Sequence, residues 1–563
     1  MEDLYKQLIK EKKHLIFDLD VKNVLSLTFD QATMKEYQVE GFSTIQNTQF
    51  KDLICKQVMI FIQPIIKYME IIKTFIDANN KKNQQEKKNF TLVFWPKQNA
   101  LCKQVLQQYG ITENQVEVID FSFDLIPLDQ DVLSLELQNS FNNIYLDNDF
   151  STFQFVAESI QRIQVVYGKI PNIFAKGDGA KIVLDILNQE QNIQNDEQQQ
   201  IDIETLILLD RNIDLVTPLC SQLIYEGLLD DFYEVQGNIL KVDSKILTGQ
   251  SGKPQLIRIS SENNQIYENI RSKQITQARQ YLSSQAQEIQ RMKQIISDKK
   301  KNASAEELQK CLKIVDKISQ QQKKIEDHVN ISLNIVERMK TIEFYKDLQI
   351  EQGIVIGVNS NQSFEYLEVL IGLGAPIQKV LKLFCLQSLV DKGIKAKELD
   401  FLRKEILHEY GFKHILTLYR LSQAGLLRKQ DSQKNSWPKL REQLKLINDE
   451  VEPENPNDPA YTYSGYCPLT VRLIEQCLNK QSWKQIQEQL KSINGYQQYP
   501  EPQQYVKLQN KSAILVYIVG GVTFGEINAI RFLAKQIDRE IIIASTHIIN
   551  SKNIIQNIIN YSN

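Results

Sequence analysis

Apolar positions along this chain change period twice. In the first third they cluster in short runs, at 14–19, 90–95 and 116–119, which read as buried strands, while 98–108 has helical spacing. Strands alternating with helices predict an α/β domain with a mostly parallel sheet. The stretch 124–129 reads as an extended connector, because Pro127 keeps the residue before it out of the helical region. A second α/β unit follows to about residue 245. Its run at 206–209 has apparent companions far away, at 513–519 and 541–544, on either side of a helix at 526–536. The second domain is therefore expected to be discontinuous, its chain returning to a sheet begun earlier.

Between these halves the period becomes 3.5. Positions 275, 278, 282, 285, 289, 292 and 296 are apolar at six of seven sites. Positions 308, 311, 315, 318, 322, 325, 329, 332, 336 and 339 are apolar at eight of ten. A lysine-rich break at 297–303 separates the runs, and Ser304 with Glu307 offers a capping box for the second. A long helical hairpin is the simplest solution, followed by a helical block at 364–427. The domains are expected at 1–126 (α/β), 127–245 and 478–563 (two parts of one α/β domain), 246–360 (hairpin) and 361–477 (helical). Gln/Asn-rich inserts at 79–89, 188–200, 429–436, 449–459 and 497–504 read as surface loops.

Composition narrows the class. With 563 residues, 42% hydrophobic and 24% charged, the chain is an ordinary globular protein of several domains. A net charge of −3 gives no electrostatic reason to expect nucleic acid or an anionic membrane as the main partner. Seven scattered cysteines without a C-x-x-C pair suit reduced thiols in a cytosolic protein. No signal peptide, lipidation motif or apolar run of roughly 20 residues is present, so membrane attachment would need another protein.

Candidate chemistry is sparse. Gly520-Gly-Val-Thr-Phe-Gly525 follows a strand and opens a helix, where dinucleotide folds hold phosphate, but its glycine spacing is wrong and Glu526 would repel a phosphate. Close helix–strand packing is the preferred reading. Lys176 to Lys181 lacks phosphate-loop spacing and reads as a turn into a helix. His408, Glu409 and His414 miss the i, i+4 spacing that zinc requires on one helix face. Asp210, Arg211 and Asp214 end a buried strand without any nucleophile–base pair, so a structural ion-pair corner is preferred over catalysis. No catalytic residue, cofactor or metal is expected. Trp437, held by Pro438 and flanked by cations, suits an interface anchor as well as it suits a side chain folded onto its own domain.

Several ordered strings carry a family resemblance. Thr205 to Tyr233 reads TLILLDRNIDLVTPLCSQLIYEGLLDDFY. Further matches are Leu92 to Pro96, Ser122 to Asp129, Tyr167 to Pro171, Phe174 to Asp178, Tyr463 to Pro468 with Arg472, and Gly520 to Ile527. Together they resemble the SM (Sec/Munc) family, which chaperones SNARE assembly in membrane fusion and catalyses no covalent reaction. Leu383 to Leu389, Lys404 to Gly411 and Ala424 to Leu427 resemble its class C vacuolar protein sorting branch.

The resemblance implies an arch-shaped SM fold: two α/β domains with parallel sheets and a large helical third domain. It implies a cytoplasmic SNARE chaperone, the SM subunit of HOPS/CORVET-type tethers, peripheral on endosome, lysosome or vacuole membranes. Expected partners are Qa- and R-type SNAREs and the solenoid vacuolar protein sorting-associated protein 16. Arg428, Trp437 and Leu440 fall on the region that docks the solenoid in that branch. The far half of the hairpin, 285–322, is expected to template SNAREs, with Lys293, Lys313 and Lys317 on its outer face. The competing readings are an SM protein of another trafficking step, without a solenoid, and a nucleotide-dependent α/β enzyme.

Overall fold

A computed structural model describes residues 12–561, apart from 19–20, 23–37, 50–52, 54, 83–86, 96, 113–114, 122–124, 190–201, 263, 301–304, 359, 431–435, 453–454, 479–482, 501–504 and 507–511. Side chains are also left aside at 234, 297–317 and 360. Two compact units emerge: residues 1–128 with 236–238, and residues 129–235 with 239–563.

The first unit is built on a five-stranded parallel sheet. Its spatial order is Val39–Thr44, Lys13–Phe17, Gln57–Ile62, Asn89–Phe94, Val116–Asp120. Strands buried on both faces must be apolar nearly throughout, and QVMIFI at 57–62 is. The helix Ala100–Gln108 starts where Asn99 accepts the Cys102 amide proton at 2.7 Å. The strands at 39–44 and 57–62 and the helix Ile66–Asn80 add elements that the sequence reading did not assign. The expected connector at 124–129 ends in a short strand, Ile126–Asp129.

The second unit holds a second parallel sheet. Its core order is Asn172–Lys176, Ile203–Asp210, Ala513–Val519, Ile541–Ser545, Val132–Ser134. The late strands pair directly with the early one, Leu515 opposite Leu206 and Ile518 opposite Leu209, as the discontinuous pattern predicted. All eight positions of 203–210 are buried. Gln497 and Gln498, expected in a loop, instead form an edge strand antiparallel to 175–176. Ile239–Val242 pairs antiparallel with Gln255–Arg258 within a three-stranded sheet that precedes the hairpin.

The hairpin helices run Ile275–Lys300 and Ala305–Met339. Ser304 of the expected capping box lies outside the described residues. The heptad positions Ile275, Ala278, Leu282, Ile289, Ile318 and Ile325 are buried. Near the base the apolar face widens: Ile331 and Ile335, off the 3.5 repeat, are fully buried. There the second helix packs against Tyr225, Leu228 and Leu229 as well as against its hairpin partner, and two neighbours require a broader stripe. Helices Ile342–Ile356, Ser360–Gly372, Ile377–Val390, Ala396–Tyr410 and Ile415–Gln423 follow.

Candidate partner-binding site

The charges that end strand 203–210 turn inward. Asp210, Arg211 and Asp214 are at most 3% exposed. Asp210 accepts the Tyr145 hydroxyl proton at 2.6 Å and the Gly179 amide proton at 2.8 Å. Burial pushes its carboxyl up, against those bonds. The Arg211 Nη1 donates to both Glu526 oxygens at 2.9 Å, and its Nε donates to the Asp214 carbonyl at 2.8 Å. Burial alone would lower the guanidinium, but the Glu526 and Asp214 carboxylates outweigh it and hold it charged. Asp214 in turn accepts from Thr217 at 2.6 Å and from the Leu469 amide at 3.0 Å.

Glu526 is buried at the N-terminus of helix Phe524–Ile537. It sits at 0% exposure, closing a capping box with Thr523 and accepting from Thr470 and Arg211. The glycines before it serve close approach. A Cβ on Gly521 would lie 2.4 Å from Ile549 Cγ2, and one on Gly525 2.6 Å from the Tyr463 ring. At the other glycine loop, Gly177 turns with φ +103° directly into helix Asp178–Gln189. His414 is buried 3.3 Å from Thr417 Oγ1, and among the described residues no His/Cys/Asp/Glu group is arranged to hold a metal.

A second network, not foreseen, seats the hairpin on helix Tyr225–Phe232. The Tyr225 hydroxyl lies 3.0 Å from His328 Nδ1, and Tyr267 stacks on the same imidazole at 5.9 Å. Burial drives His328 down to about 4. Tyr267 donates to Glu226 at 2.8 Å, and Arg531 donates to Glu226 at 3.0 Å. Arg531 also grips Asp131 through two bonds of 2.7 and 2.8 Å. Tyr233 donates to Asn334 at 2.9 Å, while Arg338 caps the Phe232 and Tyr233 rings. The available signal was Glu226: a carboxylate inside an apolar run must find a cation when it is buried.

The expected solenoid-docking residues come together. Arg428, Trp437 and Leu440 line one cleft of about 180 Å³ with Lys392 and the corner residues 212–216. Trp437 is nevertheless an internal residue. It is 8% exposed, its indole Nε1 donates to the Val355 carbonyl at 3.0 Å, and its ring faces Tyr466. An indole reaching a carbonyl gains both burial and its hydrogen bond, so Trp437 stands as a wall of the cleft. Leu440 is buried likewise, and only Arg428 is exposed.

On the hairpin, exposed Lys293 donates to Gln322 of the opposite helix. That bond ties the two helices together while leaving the lysine exposed. The side chains of Lys313 and Lys317 lie outside the described residues. Cysteines 55, 102, 220, 385 and 467 are buried and unbridged.

A buried charged corner, a hairpin seated beside it and the absence of any described helix long and apolar enough to cross a membrane frame what known proteins show. The Sec1 family model matches residues 13–557. The chain belongs to the Sec1 family. Within that family it is 30% identical to vacuolar protein sorting-associated protein 33A of Rattus norvegicus, over 96% of this chain and 92% of that one. Two solved Sec1-type folds superpose on nearly all of it. The SM protein Vps45 in complex with the Qa SNARE Tlg2 gives a TM-score of 0.59 at 15% identity, covering 99% and 96% of the two chains. The Unc18–syntaxin 1 complex from Monosiga brevicollis gives 0.61 at 14%, covering 99% and 98%. At such identities the likeness establishes the SM fold.

Proposed function

We propose that this Sec1-family chain binds SNARE proteins and templates their assembly for fusion in endosomal, lysosomal or vacuolar traffic. We infer further that it does so as the SM subunit of a HOPS/CORVET-type tether on those membranes. The observation that carries the reading is the hairpin: Ile289, Ile318 and Ile325 are spent on its seam, while Met292 and Ile295 stay exposed at 43% and 56%. Two related folds hold a Qa SNARE and a syntaxin, and the relatives in sequence are vacuolar sorting proteins.

The task is physical, not covalent. Free SNARE motifs are disordered, and nucleating a helix bundle costs conformational entropy before contacts repay it. A hairpin that holds two such helices side by side lowers that barrier by proximity. Rooting its base through Tyr225–His328 and Tyr233–Asn334 supplies the rigidity. Arg428, with the cleft walls Trp437 and Leu440, is assigned to vacuolar protein sorting-associated protein 16.

Capture by the immobilised chain tests both parts. Qa and R SNARE motifs should bind together more tightly than either alone, and absence of SNARE binding would sink the chaperone reading. Solenoid capture should fall with Arg428→Glu. Trp437→Asp is a poor probe, because it would bury a charge. A chain that binds SNAREs but no solenoid belongs to another trafficking step.

A further inference from the structure

The parallel sheet of the first unit starts its strands on a row of lysines. Lys13 lies opposite Gln57, and Gln57 opposite Asn89, in the registers of three neighbouring strands. The residue before each of those three is a lysine: Lys12, Lys56 and Lys88. Neighbouring strands stand about 4.8 Å apart, so the three lysines line one edge of the sheet. The helix Ile66–Asn80 ends at the same edge. Asn79 fixes it there, its side-chain amide donating to the Lys88 carbonyl at 2.9 Å and accepting the Lys88 backbone proton at 2.8 Å. That end adds Lys81, Lys82 and Lys87, all exposed, as Lys12 and Lys56 are.

The whole chain is net −3, which conceals how positive charge gathers at this edge. Residues 79–89 hold four lysines and one acid, Glu86. Lys12 is paired with Glu40. Lys88 is half-buried, its Nζ donating to the Leu53 and Cys55 carbonyls at 2.7 and 3.0 Å. Burial, with the Lys82 charge beside it, holds the Lys88 amine below its ordinary value. Two cations held this close are relieved by an anion. A helix C-terminus favours cations, which accounts for Lys81 and Lys82 but not for the lysines that start strands.

The kind of cation identifies the occupant. Residues 1–128 contain no arginine. Arginine's planar fork suits a fixed carboxylate or phosphate, whereas lysine is a point charge on a flexible stem. The row itself carries no aromatic ring on which a nucleic-acid base could stack. A second copy of this chain would bring lysines against lysines. Clustered point charges along a flat edge suit a fluid anionic surface. We propose that this lysine edge lies against a bilayer of anionic phospholipids, whose headgroups meet Lys12, Lys56, Lys81, Lys82, Lys87 and Lys88. The inference is independent of the SNARE and solenoid assignments. The contact is electrostatic and screened by salt, so it orients a chain already brought to the membrane.

The test floats the full chain with vesicles at low salt. Phosphatidylcholine mixed with phosphatidylserine should carry the wild type upward, phosphatidylcholine alone should not, and added salt should release it. The triple variant Lys81→Glu, Lys82→Glu, Lys87→Glu should lose binding by about tenfold or more, with melting temperature and SNARE capture unchanged. Lys81→Arg, Lys82→Arg, Lys87→Arg keeps the charge and should keep the binding. Were the glutamate variant to melt early, Lys56→Glu with Lys87→Glu must still weaken flotation. A wild type that stays off phosphatidylserine vesicles, or a folded glutamate variant that floats as well as the wild type, overturns the inference. A folded glutamate variant that loses SNARE capture as well overturns it by making the edge part of that site. A wild type that binds polyglutamate or single-stranded RNA more tightly than vesicles overturns it in favour of an acidic chain.

Discussion

The corner at Asp210–Asp214 and the face at Phe412–Tyr419 invert each other. The first buries four charges, Asp210, Arg211, Asp214 and Glu526, at 3% exposure or less. The second leaves four large apolar side chains, Phe412, Ile415, Leu416 and Tyr419, at least half exposed. Both break the rule that apolar residues go in and charges stay out, but for opposite reasons. Buried charges must be paired and hydrogen-bonded, so they fix one arrangement of strand, loop and helix. Exposed apolar faces gain nothing inside their own chain, so their use lies in a partner. In this molecule the strongest sequence signature builds architecture, and the quieter helical block offers the surface.

The corner is where the contrast can be broken most forcefully. Arg211→Met leaves Glu526 and Asp214 facing each other in the interior without their cation. The expected loss is about 3–5 kcal/mol, read by urea denaturation of purified protein. A loss below about 1 kcal/mol would mean that the corner is not what holds the strand, loop and helix together.

Next comes the glycine pair that lets helix Phe524–Ile537 approach its strand. Gly521 has φ +111°, and a Cβ there would overlap Ile549. Gly521→Ala should therefore cost about 2 kcal/mol or more through strain and overpacking. Unchanged melting would show that the loop has room, and would reopen its reading as a ligand cradle.

How much of this was legible follows the same contrast. The discontinuous sheet could be read because both of its distant strands are unbroken apolar runs, 206–209 and 513–519. The rejection of a phosphate loop followed from Glu526, whose charge the structure uses internally. The hairpin was visible as a 3.5 repeat, but its wider base at Ile331 and Ile335 depends on a third element packing there, which periodicity cannot reveal. The sequence left Trp437 open between an interface anchor and a side chain folded onto its own domain, because flanking Pro438 and Lys439 look the same whether an indole faces water or the Val355 carbonyl. The stripe at 412–419 stayed hidden because a helix with two apolar faces reads as one buried all round.

The hairpin seat adds a pH-dependent term of intermediate size. His328 titrates at about 4 when folded and at its ordinary value of 6.5 when unfolded. Between those values the unfolded state binds more protons, so stability falls as pH falls through 6.5. At pH 5 the loss amounts to about 2 kcal/mol, at 1.36 kcal/mol per unit. His547, lowered to about 3 by burial, acts in the same direction. Asp230, pushed up to about 8 by burial, acts in the opposite sense. Comparing wild type with His328→Leu at pH 7 and pH 5 cancels both of those contributions. The variant should lose less stability on acidification, and equal losses would show that the imidazole is not held neutral at the seat.

The smallest stability effect belongs to the exposed face, and its smallness is the point. Phe412→Ser or Ile415→Ser removes side chains that are already mostly in water, so each should change stability by less than about 0.5 kcal/mol. Either change should raise solubility by breaking an apolar patch. A comparable substitution at Leu418 on the buried face of the same helix, Leu418→Ala, should cost about 2–5 kcal/mol. The two faces differ by one step in sequence and several kcal/mol in consequence, so melting curves alone can separate them. If the serine variants proved as costly as Leu418→Ala, the outward face would be covered by its own chain, and the partner surface would have to be sought elsewhere.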